Sequence, residues 1–208
     1  MPKWMKSAWT YYYLLIVGMF ALIALNHSSF PNEGTAHEKT YFTMLWLHFV
    51  FGSVALLIGP MQFLEVIRRA SVNRHRLLGM AYVGSVFVSG LVGFWMAFNS
   101  QMPMFGYSLA ILDGVWLITT GLGFYFGLRG NIPQHSLWMA RSFLTTNVFV
   151  TFRILIPIGL LFTPQGESPE IPFAIGVQIA LWGMLGIFEW RRFRKSKLAV
   201  PPQAEGVA

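Results

Sequence analysis

Long apolar stretches alternate with short polar ones along this chain, and the apolar stretches are too long for strands. A helix needs roughly 18–20 predominantly apolar residues to cross a hydrocarbon core. Six runs meet that length, at about 9–26, 41–63, 75–98, 107–128, 136–161 and 172–190. The pattern predicts an all-α integral membrane bundle of six transmembrane helices, a single polytopic domain over residues 1–197, with its core in spans two to five. Connections are short except for residues 26–40, which are polar and hold Pro31 and Gly34. The tail, 198–208, carries Pro201 and Pro202 without helical periodicity and is expected to be disordered. Lys3 and Lys6 precede the first run as they would a signal peptide. However, Asn26 and His27 follow Leu25 where a small-residue cleavage site would stand, and Trp9 with Tyr11, Tyr12 and Tyr13 forms an interfacial aromatic belt. A retained helix is expected.

Polar residues inside the spans fall on narrow faces. At about 100° per residue, His135, Ser142, Thr146 and Arg153 lie within about 40° of one another, a stripe roughly 27 Å long on span five. Span two has His48, Gly52, Ala55, Gly59 and Gln62 on one face. Span three has His75, Gly79, Tyr82, Val86, Ser89 and Gly93, and span four has Asp113, Thr120 and Gly127. Polar groups in a membrane helix turn inward, and small residues let helices approach closely. A cation near the bilayer centre costs about 2.5–3.5 kcal/mol on insertion scales, so Arg153 calls for a partner. Comparing depths predicts an outer cluster, with Asp113 paired to Arg153 and His48 nearby. It also predicts an inner, basic cluster of His75, Arg76, His135 and Arg141. Arg141 sits about 100° off the stripe, near the inner end, where its side chain can snorkel.

Composition agrees with this picture. Of 208 residues 55% are hydrophobic and 11% charged, with a mean hydropathy of +0.54. A typical soluble domain is about 25% charged. The absence of cysteine excludes disulfides, thiolate metal sites and cysteine nucleophiles. The net charge of +7 does not call for nucleic acid, because the basic residues sit in short flanks. Lys3, Lys6, Arg68, Arg69, Arg74, Arg76, Arg129, Arg191, Arg192, Arg194, Lys195 and Lys197 all fall on one side of the predicted bundle. The opposite loops hold only Lys39, with Glu33, Glu38, Glu167 and Glu170. Positive charge marks the cytoplasmic side, so both termini are expected there. Phosphate loops, dinucleotide fingerprints, HExxH and serine-elbow motifs are absent.

The stretches "LHFVFGSVALLIGPMQF", "RHRLLGMAYVGSVFVSGLVGF", "QHSLWMARSF" and "FRILIP" resemble the domain of unknown function 2306 family, bacterial proteins described as predicted membrane proteins. The resemblance covers about Leu47 to Pro157. It implies His48, Pro60, Gln62, His75, Arg76, Gly79, Trp116, Thr119, His135, Trp138, Arg141, Arg153 and Pro157 as motif positions, and a multi-pass protein of the bacterial inner membrane. It implies no activity.

Three functional readings follow. The first is a redox protein holding b-type haem, exchanging electrons with quinone, or both. His48, His75 and His135 are then candidate iron ligands, and Arg141, Arg153 and Asp113 complete the cofactor-binding set. Against it, His75 and His135 lie at the ends of their apolar runs, and His48 has no evident mate except His27. The second is a small-solute or proton transporter, since intramembrane His, Asp and Arg form proton relays. The third is an accessory subunit that binds another membrane protein, or an oligomer, through these stripes. Each residue also has a plainer role: a buried pair fixing helix register, histidines at the headgroup level, glycine faces serving packing alone.

Overall fold

The computed structural model describes residues 35–64, 71–100 and 103–160, with Tyr12, Gly18, Gly176, Ile179, Gly183, Gly186 and Ile187; of Met104 and residues 151–160 it describes the backbone only. Among these residues there are four α-helices and no strand: α1 (Ala36–Ile58), α2 (Val72–Phe98), α3 (Pro103–Leu128) and α4 (Ile132–Leu160). They correspond to predicted spans two to five. Spans one and six and the tail 198–208 lie outside the described residues, apart from the seven isolated positions, all helical. The side on which the termini lie also falls outside them. Within the described residues, Ala36–Phe63, Val72–Phe98 and Phe105–Leu128 are long and apolar enough to cross a membrane.

Each helix begins about one turn before its apolar run; on α1, α2 and α4 capping side chains satisfy the first backbone N–H groups where hydropathy is still low. Thr35 and Glu38 form a reciprocal capping box on α1. Glu38 N donates to Thr35 Oγ1 (3.3 Å), and Thr35 N donates to Glu38 Oε2 (2.7 Å). Ser71 caps α2 through Arg74 N (3.4 Å). Asn131 caps α4, its Oδ1 accepting from Gln134 N (3.3 Å). This extra turn places His75 and His135 inside their helices rather than at the run ends.

Two breaks set the geometry of the bundle end predicted to be the inner one. Gly59–Pro60 stops α1 and starts a 3-10 turn, Pro60–Phe63, because proline cannot donate to the helical ladder. Between α3 and α4 the chain reverses in three residues. Gly130 takes the left-handed conformation (φ 69°), and Asn131 N bonds back to Phe126 O (3.0 Å), closing α3 while Asn131 opens α4.

Short connections make successive helices antiparallel neighbours. α1 packs on α2, α2 on α3 and α3 on α4, and α4 returns to meet α1. Gly59 permits close approach at this last seam, where an added Cβ would lie 2.6 Å from the Phe143 ring. Tyr12, from the first predicted span, packs there with Leu56 and Val150, its ring 6.2 Å from Phe143. Leu77, Leu91, Ile111 and Ile118 face outward, as side chains that meet lipid do.

Much of the predicted inward faces is buried: Ala55 on α1, with Gly59 and Gln62 just beyond its end; Tyr82, Val86, Ser89 and Gly93 on α2; Asp113 and Thr120 on α3; Ser142 and Thr146 on α4. His48, Gly52, His75, Gly79, Gly127 and His135 are half-buried.

Candidate functional site

The interior polar groups form three levels. At the inner end, His75 of α2 and His135 of α4 come ring to ring, with centroids 6.3 Å apart and planes at 89°. Their helices are not sequence neighbours but diagonal partners across the bundle. Small residues let the rings sit there: an added Cβ at Gly127 of α3 would stand 2.8 Å from His135 Nδ1. That nitrogen donates to Gly123 O (2.8 Å), leaving the lone pair of a neutral ring on Nε2. His75 is held from the other side by the turn after Pro60. In the amide orientation that satisfies its surroundings, Gln62 Nε2 donates to His75 Nδ1 (2.9 Å) and His75 O (3.2 Å). Its Oε1 accepts from Gly79 N (3.3 Å). The two arginines expected here lie on the same helices, α2 and α4. Arg76 is exposed. Arg141 is half-buried, with its guanidinium 4.1 Å from the centre of the Trp138 ring.

The middle level is a buried hydroxyl network joining three helices. Tyr82 Oη lies 2.8 Å from Ser142 Oγ and 2.9 Å from Thr146 Oγ1. Trp116 Nε1 donates to Thr146 Oγ1 (2.8 Å), and Thr120 Oγ1 lies 2.6 Å from Ser142 Oγ. Thr146 and Thr120 also donate to the carbonyls one turn back, Ser142 O and Trp116 O. All five side chains are under 2% exposed, and every hydroxyl can find both a donor and an acceptor role.

The outer level holds His48 of α1 and Asp113 of α3, which meet α2 at Ser89 and Gly93, one turn apart. His48 Nδ1 lies 2.9 Å from Ser89 O and 3.2 Å from Ser89 Oγ, and Ser89 Oγ donates to His48 O (2.9 Å). Its ring meets Phe149 at 5.9 Å, and Phe149 in turn meets Trp116 at 5.0 Å. Asp113, 2% exposed, lies against Gly93 of α2, where an added Cβ would come within 2.5 Å of Oδ2. Its Oδ1 has no hydrogen-bond partner among the described residues. The expected partner, Arg153, stands on α4, but its side chain lies outside the described ones. The pairing of Thr120 with Ser142 and Trp116 with Thr146 sets Asp113 level with Phe149, so Arg153 lies one turn further out.

Three predicted histidines therefore divide between two levels: His75 with His135 inside, His48 outside. Among the described residues no three His, Cys, Asp or Glu side chains converge to hold a metal ion. Sequence reading placed Tyr82, Trp116, Thr120, Ser142 and Thr146 on inward faces or among motif positions but did not join them. Serine and threonine one turn apart on span five were the available signal. Ser89 as the His48 partner and Gly123 O as the His135 acceptor had none.

The family described as predicted membrane protein (DUF2306) matches residues 45–184, which takes in nearly all of the bundle. The match begins close to the expected Leu47 but extends beyond Pro157 into the sixth predicted span. Neither a curated protein nor a solved structure matches the chain.

Proposed function

The chain belongs to the DUF2306 family of predicted membrane proteins, and from that premise we propose that its bundle is a redox unit of the bacterial inner membrane. In this reading it has six spans and cytoplasmic termini, and one b-type haem is held between His75 and His135. The observation that carries the reading is the meeting of two imidazoles from diagonal helices at 6.3 Å between ring centres. At that separation His75 and His135 are the pair of imidazoles that would hold a haem iron, and the group would supply one-electron chemistry there.

The surroundings support the same assignment. Ligating histidines usually donate their other N–H to a carbonyl, which fixes the tautomer and orients the ring. His135 already does so with Gly123 O. His75 differs: its Nδ1 accepts from Gln62, so ligation through Nε2 requires the amide to turn and give up its bonds to His75 O and Gly79 N. Gly127 keeps bulk away from the His135 ring, and Gly79 faces the Gln62 amide beside His75. Arg76 and Arg141, at the same end of the bundle, are the cations available to haem propionates. Haem supplies one-electron transfer, with quinone the electron partner available within the membrane. His48 takes no part in ligation here; it is tied to Ser89 at the other level.

The experiment is an absorption spectrum of detergent-purified protein expressed with ample haem. A Soret band is expected in the wild type and His48→Ala, and its loss in His75→Ala and in His135→Ala. A colourless wild type, or a band that survives both inner substitutions, refutes the assignment.

A further inference from the structure

The middle and outer levels treat their polar groups differently. Every hydroxyl of the Tyr82–Thr146 network is satisfied, as a structural network is. Asp113 is buried to the same degree, yet its Oδ1 has no partner among the described residues. Its carboxyl lies in a notch made by Gly93, since a Cβ there would stand 2.5 Å from Oδ2 and 3.0 Å from Oδ1. When buried, an ionised carboxylate needs a counter-charge, and a neutral carboxyl carries a proton to give.

We propose that Asp113 is an intramembrane protonation site, exchanging a proton with water at the outer face of the bundle. The step is a simple transfer. A hydronium ion gives its proton to a carboxylate oxygen, an O–H bond forms, and water is released; the reverse step returns the proton. The path is short on α2, because Gly93 lies five residues before the helix ends at Phe98, roughly 7 Å at about 1.5 Å per residue. The titratable groups around the site come from two other elements. α1 contributes His48, through Ser89 one turn from Gly93, and α4 contributes the position of Arg153. At this level α2 offers Ser89, Gly93 and Phe94, none of which titrates, and the nearest titratable group on α3 is the exposed Tyr107. The proposal does not depend on haem, and its test does not read haem.

Asp113 is the only aspartate in the sequence, so carbon-13 labelling of aspartate side chains marks this carboxyl. The full chain, in lipid nanodiscs, is followed by NMR of the labelled carboxyl across the pH range in which it stays folded. We expect a resonance that moves between the acid and carboxylate positions, and that is missing from Asp113→Asn. A resonance held at the carboxylate position throughout, and displaced in Arg153→Gln, means a fixed ion pair and overturns the proposal. One held at the acid position throughout means a sealed structural carboxyl and overturns it equally. If Asp113→Asn does not fold, the labelled wild type decides alone, since no other aspartate contributes. A colourless protein with a titrating carboxyl removes the haem reading and leaves this one standing.

Discussion

Replacing Thr146 with valine changes a hydroxyl to a methyl at the centre of the bundle while keeping the side-chain shape. Thr146 Oγ1 accepts from Trp116 Nε1 at 2.8 Å and lies 2.9 Å from Tyr82 Oη, so it ties α4 to both α3 and α2. Valine leaves no cavity. Tyr82 keeps Ser142 at 2.8 Å, but the indole N–H, on a side chain 1% exposed, loses its acceptor. A buried donor stripped of its partner costs about 1–3 kcal/mol. Interhelical hydrogen bonds in membrane proteins average about 0.6 kcal/mol, because the unfolded chain also finds partners there. Because Thr146→Val strands a buried donor, its expected loss lies above that average, at about 1–2 kcal/mol. Tyr82→Phe strands no donor, since Ser142 and Thr146 keep other partners, and should lose only about 0.5–1 kcal/mol. Adding Trp116→Phe to Thr146→Val removes the orphan, so the double variant should fall short of the sum of the singles. Reversible unfolding in mixed micelles, followed by far-ultraviolet circular dichroism, measures all four. If Thr146→Val proves no worse than Tyr82→Phe, the network does not join the helices in the way described.

The other predictions are local. Gly93→Ala has to displace the Asp113 carboxyl and should destabilise by roughly 1–3 kcal/mol, as overpacking does. Gly84→Ala faces open space and should be neutral or stabilising in the same unfolding assay, up to about 1 kcal/mol. Thr35→Ala removes the α1 capping box at a cost of about 0.5–2 kcal/mol, read as faster hydrogen exchange confined to the first turn of α1. Gly127→Ala brings a methyl within 2.8 Å of His135 Nδ1 and should weaken the expected Soret band with little change in helical content. Because the chain has no cysteine, single cysteines report topology directly. A membrane-impermeant maleimide should label Ser100→Cys in intact cells, but Arg129→Cys only after permeabilisation; the reverse pattern inverts the assigned orientation.

The described interior divides its polar side chains by what each can reach. Small residues act at all three levels: Gly127 beneath His135, Gly90 against Leu117, Gly93 against Asp113. In a membrane, where apolar burial gives helices little reason to associate, such close fits and the hydrogen bonds beside them hold the bundle together.

Periodicity alone determined much of this protein. Apolar length marked α1, α2 and α3 as long and apolar enough to cross a membrane, because a bilayer admits only segments that satisfy their own backbone. Helical spacing put Gly59, Ser89, Gly93, Ser142 and Thr146 on inward faces, because a residue's angle around its helix depends only on its position in the chain. The starts of the helices were less legible, since Thr35, Ser71 and Asn131 end a hydrogen-bond ladder without adding hydropathy. Which inward residues meet was beyond the sequence. His75 met His135 because α2 and α4 stand diagonally and the 3-10 turn after Pro60 carries Gln62 to His75. His48 went to Ser89 instead, and Asp113 to a glycine rather than to any described cation. Those partnerships depend on the relative rotation, tilt and distance of whole helices, set by the fit of every side chain between them, and no single segment carries that information.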